Sequence, residues 1–250
     1  MAGKVAPRCL LISNSTTHPT GYLDHCAEAM TTFLKASNVS SVLFIPFALK
    51  DCDAYTAKAR DRFKLMGFDV KGLHECDDKI AAVNEAESIF VGGGNTFRLL
   101  NLLYKHNVVD AIRARVAGGM PYMGASAGTN VACKSIRTTN DMPIVQPPSF
   151  EALALVPIQI NPHYLEPDPN STHKGETRRE RLEQFLEDNT TPVLGDKWTV
   201  EGKNLPIRVF LHGKDMQTFA VGDDVSFLQE EAKKAAAAEQ ADPAPKKPKV

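Results

Sequence analysis

Pro121-Tyr122-Met123-Gly124-Ala125-Ser126-Ala127-Gly128-Thr129-Asn130-Val131-Ala132 is the stretch that decides the fold. A short apolar run enters a glycine-rich turn, a serine stands at its apex, and a helix-like segment leaves it. Small residues on either side of Ser126 let the turn close tightly, with the hydroxyl clear of the backbone. The amide of Ala127 then faces the position where an oxyanion would form, and the helix N-terminus favours that charge. This is the arrangement of an activated serine, and it points to hydrolysis. The competing reading is a tight βα turn in which Ser126 only caps a helix.

The same alternation runs upstream. Residues 9–12, 42–46, 68–73 and 88–91 read as strands, and residues 22–34, 54–66, 79–86, 96–104 and 108–117 carry helical spacing. Gly67 supplies a stop signal for the second helix. Buried strands alternating with helices predict an α/β fold, a parallel sheet flanked by helices on both faces. Ligands of such sheets bind beyond the carboxyl ends of the strands. The turn at Gly92-Gly93-Gly94 and the turn at Ser126 both lie at such ends, so they should face the same side.

The second half changes character. A polar, proline-containing connection spans residues 138–148, followed by a candidate strand at 153–160 and a charged helix at 176–187. Short β segments are expected near the C-terminus, at 198–200, 207–210 and 218–221. Residues 1–229 therefore read as a single α/β catalytic domain. From Glu230 the chain turns Ala-, Lys- and Pro-rich, and residues 230–250 are expected to be a disordered or frayed tail. Its basic end reads as solvated, with a localisation signal as the alternative.

Composition bounds the function. Hydrophobic residues make up 43% and charged residues 24% of the 250, ordinary values for a soluble globular enzyme. A net charge of −1 argues against a nucleic-acid partner read through a basic surface. No apolar run reaches the roughly 20 residues that a membrane helix needs, and the N-terminus lacks the apolar core of a signal peptide. The five cysteines are scattered, without zinc or redox spacing, which fits a reduced cytoplasmic protein.

A serine nucleophile needs a base, and the base an orienting acid. Of seven histidines, His163 stands out in Asn161-Pro162-His163-Tyr164, after an apolar run and a stiffening proline. The competing role is a packed or capping imidazole. His173 and His212 are weaker candidates in polar loops. Asp141 lies between serine and histidine and is the leading acid, although a turn-forming role is the commoner use of such a residue. Asp196 and Glu201 are rivals. The Gly92-Gly93-Gly94 turn fails the dinucleotide pattern, because the third glycine would fall on Phe97. Its backbone amides, at Gly93 and Gly94, instead suit an oxyanion hole shared with Ala127. His163 and Glu166 do not sit on a ligand-bearing helix, so no metal and no other cofactor is expected. The run Lys174 to Arg181 reads as a solvated helix start, or as a source of an arginine for a substrate carboxylate.

Several segments occur together and in order: Leu11-Ile-Ser-Asn-Ser15, Phe44-Ile-Pro-Phe47, Val91-Gly-Gly-Gly-Asn-Thr-Phe97, Gly124-Ala-Ser-Ala-Gly128, Ile136 to Val145, Gln159-Ile-Asn-Pro-His163 and His173 to Arg178. In these the chain resembles the aspartyl dipeptidases of the peptidase E family, over about residues 9–190. The resemblance implies a fold like that of class I glutamine amidotransferases. It implies metal-free cleavage of small Asp-X dipeptides in the cytoplasm, without a nucleic-acid or membrane partner, and leaves a homodimer open. It implies Ser126 as nucleophile, His163 as base, Asp141 as relay acid, Gly94 and Ala127 as oxyanion donors, and Arg178 as holder of the aspartyl carboxylate. One segment departs from the family. Members run from Val-Leu-Gly into a turn such as Pro-Glu-Gly, whereas Val193-Leu194-Gly195 passes straight to Asp196-Lys197-Trp198. A glutamate used by the family near this place has no clear counterpart, which leaves Asp141, Asp196 or Glu201 as the acid.

Three other readings remain, one of them a related hydrolase for other acidic peptides. An α/β-hydrolase esterase shares the Ser…Asp…His order, but the short separation of Ser126 from His163 leaves no room for the intervening elements. A binding or sensing protein could retain the fold with weakened or lost turnover.

Overall fold

The computed structural model describes residues 7–166, 168–170, 172, 174–195, 207–220 and 223–241. Its main sheet has five strands: β1 (Cys9–Ile12), β2 (Ser41–Ile45), β3 (Asp69–Gly72), β4 (Ile89–Val91) and β5 (Tyr122–Ala125). All are parallel, in the spatial order β1-β5-β4-β2-β3. The connecting helices are α1 (Ala27–Lys35), α2 (Cys52–Met66), α3 (Lys79–Glu85), α4 (Thr96–Lys105) and α5 (Val109–Ala117), and α6 (Ala127–Ala132) follows β5 directly.

Side-chain alternation along the strands divides the core into two layers. Val42, Phe44, Phe90, Met123 and Ala125 point to the face covered by α1 and α2, where they meet Met30, Leu34 and Phe63. Leu43, Ile45, Ile89, Val91 and Tyr122 point to the opposite face, against residues of α3 to α6 such as Val83, Leu103, Ile112 and Val131. A sheet buried on both faces must have apolar residues at consecutive positions, which is why these strands read as continuous runs. Helix ends are set locally. Asp51, Asp78 and Asn95 each accept a hydrogen bond from the backbone at the third residue of α2, α3 and α4. Gly67 stops α2 with a φ of 86°.

A second sheet follows, in the order β6-β7-β8-β9. It contains β6 (Gln159–Asn161), β7 (Val193–Gly195), β8 (Ile207–Phe210) and β9 (Gln217–Phe219). Only the β6–β7 pair is parallel. Helix α7 (Arg178–Glu187) packs Leu182 and Leu186 against Tyr164, Val193 and Phe210. The expected short β segments are therefore a sheet of their own, and the segment at 198–200 lies outside the described residues.

Two expectations are corrected. The apolar run 153–160 forms a strand only at its end. Backbone amides of Leu153, Ala154 and Leu155 donate to carbonyls of Val131, Cys133 and Ala132, so this segment finishes the C-terminus of α6 rather than pairing in a sheet. The chain after Glu230 is also not frayed throughout, because α8 spans Phe227–Ala241. Alanine is the best helix former. Leu228, Ala232 and Ala235 bury one stripe, and Lys233–Glu230 and Lys234–Glu231 pairs line the exposed side. Residues 242–250 lie outside the described set.

Phe90 tests the layering. It sits on the central strand, fully buried, with ring centroids 5.4 Å from both Phe44 and Phe63. Phe90→Ala should cost about 3–5 kcal/mol, read as a lowered urea midpoint; a loss below about 1 kcal/mol would contradict the layering.

Candidate active site

The carboxyl ends of β4 and β5 meet at Ser126. Three backbone constraints build this junction. A Cβ on Gly128 would fall onto the carbonyl of Val91, and one on Gly124 onto the carbonyl of Gly128. Only glycine at both places lets α6 approach β4 and β5 so closely. Ser126 itself is held at φ 53° and ψ −108°, away from helical and extended backbone. Such a residue stores strain that the surroundings must hold. They do so through Ser126 N–H donating to Ile12 O at 2.9 Å, and through Ser126 O accepting from Thr129 and Asn130 at 2.9 and 3.0 Å. The backbone of Ser126 is thereby tied to β1 and to the first turn of α6, and its side chain is turned outward.

The Ser126 hydroxyl lies 2.7 Å from Nε2 of His163. His163 also has a positive φ, 58°. Its turn is fixed from several sides: its N–H donates to Ser13 Oγ at 3.0 Å, and Asn140 Nδ2 donates to Pro162 O at 2.8 Å. Asn161 Nδ2 donates to Thr138 O, and Thr138 Oγ1 to Ile160 O. The 138–140 connection and the end of β6 therefore hold the imidazole against the serine. Burial is the main effect holding the His163 pKa below its ordinary value; Arg178 lowers it further, and Asp141 opposes both. A lowered pKa keeps the imidazole neutral, and able to accept a proton, at neutral pH.

Asp141 lines the same cleft as Ser126, Ala127, Asn130 and His163. Its carboxylate makes no hydrogen bond to the imidazole. It accepts instead from Thr96 N–H at 2.7 Å and from Thr96 Oγ1 at 2.6 Å, at the N-terminus of α4. That position suits a negative charge. Asp141 thus acts on His163 through space, and it pins the serine–histidine connection to the Gly92–Asn95 turn. Asn95 Nδ2 donating to Met142 O at 2.9 Å makes a second tie between the same segments. Asp196 and Glu201, the rival acids, lie outside the described residues, as does His173.

The glycine turn abuts the serine. A Cβ on Gly93 would lie 3.0 Å from Ser126 Cβ and 3.6 Å from its Oγ. At Gly94, with φ 135°, an added Cβ would lie 2.7 Å from the carbonyl oxygen of Ala48. The Ala127 amide opens α6 and has no intrahelical acceptor. Beneath the turn, the hydroxyl of buried Tyr55 meets the Gly93 amide, a contact that offsets part of the upward push of burial on the tyrosine pKa.

Arg178 borders an adjoining cavity that shares Thr139, Asn140 and Asp141 with the serine cleft. Its Nη1 is buried without a partner. Burial, then the neighbouring Arg181, lower its pKa. A half-buried guanidinium with an unmet donor favours an incoming carboxylate. Three of the other described histidines have ordinary roles: His74 pairs with Asp53, His106 packs on Phe47, and His212 bonds Leu186 O. Sequence reading missed Thr96, Ser13, Asn140 and Asn161 as supports. Ser13 was discoverable, since it follows β1 at the carboxyl edge of a parallel sheet.

Among the described residues no helix is long and apolar enough to cross a membrane, and no group of three or more His, Cys, Asp or Glu could hold a metal ion.

Comparison with known proteins agrees with this picture. A Peptidase E of Streptomyces coelicolor is 54% identical over 229 residues, covering 88% of this chain and 93% of its own length. A probable alpha-aspartyl dipeptidase of Drosophila melanogaster is 56% identical over 191 residues, covering 76% of this chain and 80% of its own. Two solved structures share the fold. A putative peptidase E of Listeria monocytogenes matches with a TM-score of 0.56 at 21% identity, covering 87% of this chain and 100% of its own. A peptidase from an acI-B1 Actinobacterium matches with 0.61 at 17%, covering 90% and 98%. The profile of Peptidase family S51 matches residues 9–199, and the chain belongs to that family.

Proposed function

We infer that this chain is a serine peptidase that hydrolyses dipeptides with N-terminal aspartate. The observation that carries the reading is the 2.7 Å Ser126–His163 pair on a strained turn, beside the unpartnered guanidinium of Arg178. Family membership and the names of the relatives support the same substrate class. The assembled serine–histidine pair gives no support to an inactive sensing homologue.

In the proposed mechanism His163 Nε2 takes the Ser126 proton as Oγ attacks the peptide carbonyl. The amides of Ala127 and Gly94 receive the oxyanion. The imidazolium then protonates the leaving amine, and water resolves the aspartyl ester by the same route. Asp141 favours the imidazolium electrostatically as it forms. Arg178 holds the aspartyl side chain and, being cationic and close, opposes that imidazolium. No metal or cofactor takes part in these steps. Five free cysteines suit a reducing cytoplasmic setting.

Substrate choice follows from Arg178. An aspartyl carboxylate supplies charge and acceptors to the buried donor, whereas an asparaginyl amide leaves the guanidinium without a counter-charge. The purified chain should turn over Asp-Leu with a kcat/KM on the order of 100-fold above Asn-Leu, and Ser126→Ala should abolish turnover. Comparable rates for Asp-Leu and Asn-Leu would refute the Arg178 assignment. Persistence of activity in Ser126→Ala would refute the serine mechanism.

The two charges beside His163 predict opposite shifts of the acid limb of kcat/KM. That limb tracks loss of the neutral base, so it should lie below the ordinary histidine pKa. Asp141→Asn removes the group that raises the His163 pKa, and the limb should move to lower pH while the rate falls. Arg178→Gln removes a group that lowers it, and the limb should move to higher pH. Movement of both variants in the same direction would contradict the proposed electrostatics.

A further inference from the structure

The cavity beside the serine cleft carries more positive charge than one substrate carboxylate requires. Arg137, Arg178 and Arg181 line it, and Asp141 is the single acidic side chain among the described residues of its walls. Each guanidinium differs in what it already meets. Arg181 faces Glu176 at 3.7 Å. Arg178 carries the buried, unmet Nη1 assigned above to the aspartyl carboxylate. The Arg137 side chain is exposed at the cavity rim and makes no hydrogen bond or ion pair with the described residues. Asp141 makes no hydrogen bond to any of the three arginines; both of its bonds to Thr96 fall on Oδ2.

Geometry sets which second anion can reach this rim. Two residues of extended chain span at most about 7 Å. A dipeptide with N-terminal aspartate bears two carboxylates within that distance, one on the aspartyl side chain and one at the C-terminus. Arg137 stands on the serine–histidine connection and Arg178 on α7, on two walls of one cavity. A further residue would move the terminal carboxylate by about 3.5 Å. Amidation would remove its charge.

We propose that Arg137 binds the C-terminal carboxylate of the leaving residue, so that the cavity reads both carboxylates of an Asp-X dipeptide and thereby limits the enzyme to dipeptides. This rests on the Asp-X reading of the site. Arg137 is a specificity residue and takes no part in bond breaking. Being exposed, its pairing is screened by salt more than that of Arg178. It acts on ground-state binding, so its effect falls chiefly on KM.

The test uses the full chain with Asp-Leu, Asp-Leu amide and Asp-Leu-Leu, in wild type, Arg137→Gln and Arg137→Lys. The wild type should prefer Asp-Leu to its amide by about tenfold in kcat/KM, mostly through KM, and should cleave the tripeptide less well again. Arg137→Gln should bring Asp-Leu down to the level of the amide, with the amide changed by less than about twofold. Arg137→Lys should keep part of the preference. Equal turnover of Asp-Leu and its amide by the wild type would overturn the proposal while leaving the Asp-X reading intact. So would an equal loss on both substrates in Arg137→Gln, or an unchanged preference there. Failure to cleave any of the three would remove the Asp-X reading and this inference with it.

Discussion

The contact between the start of α6 and the ends of β4 and β5 is the constraint on which the site depends. Gly128 lies on the Val91 carbonyl, and Gly124 lies on Gly128. No side chain fits in either place. Because the backbones touch, the chain must reverse from strand to helix within one residue, and that residue is Ser126 with a positive φ. The strain is local, but the parallel sheet that resists it is not. Register pairs Val91 with Gly124 and Ile12 with Ala125, so the turns after three strands arrive at one edge together. Ser13, Gly93 and Ser126 become neighbours of the reaction centre for that reason alone.

The histidine is delivered by different means. It lies beyond β6, in the second sheet, and no strand of the main sheet leads into it. Side-chain amides and hydroxyls do the positioning, with Asn140, Asn161 and Thr138 bonding backbone carbonyls around the turn. Asp141 joins this network to α4 through Thr96. The serine is therefore held by backbone packing and the base by polar side chains. Substitutions in the first group should act on folding, and those in the second on alignment of the base. Placing a charged carboxylate at a helix N-terminus near, but not bonded to, the imidazole gives Asp141 both an electrostatic and a structural part.

Much of this was legible in the residues. Strands β2, β4 and β5 are buried on both faces, so their apolar runs mark them, and caps such as Asp51 and Gly67 mark the helix ends. Gly124-x-Ser126-x-Gly128 carried the turn, and Asn161-Pro162-His163 carried the base, because both need unusual backbone that glycine or proline advertises. The run 153–160 misled because an apolar segment that finishes a helix and one that joins a sheet look alike in sequence. The helix after Glu230 was obscured by the Lys- and Pro-rich composition of the residues that follow it. The bond from Thr96 to Asp141 spans 45 positions, and its use of the carboxylate follows from tertiary packing that no local pattern encodes.

The most direct test of the central claim is rapid-quench mass spectrometry with a chromogenic aspartyl anilide. If the strained turn presents Ser126 as the nucleophile, an aspartyl ester should map to the peptide containing Ser126 and be absent from Ser126→Ala. It should form before steady state and decay at the rate of turnover. Continued release of the aniline with no adduct on Ser126, or an adduct on another side chain, would contradict the account.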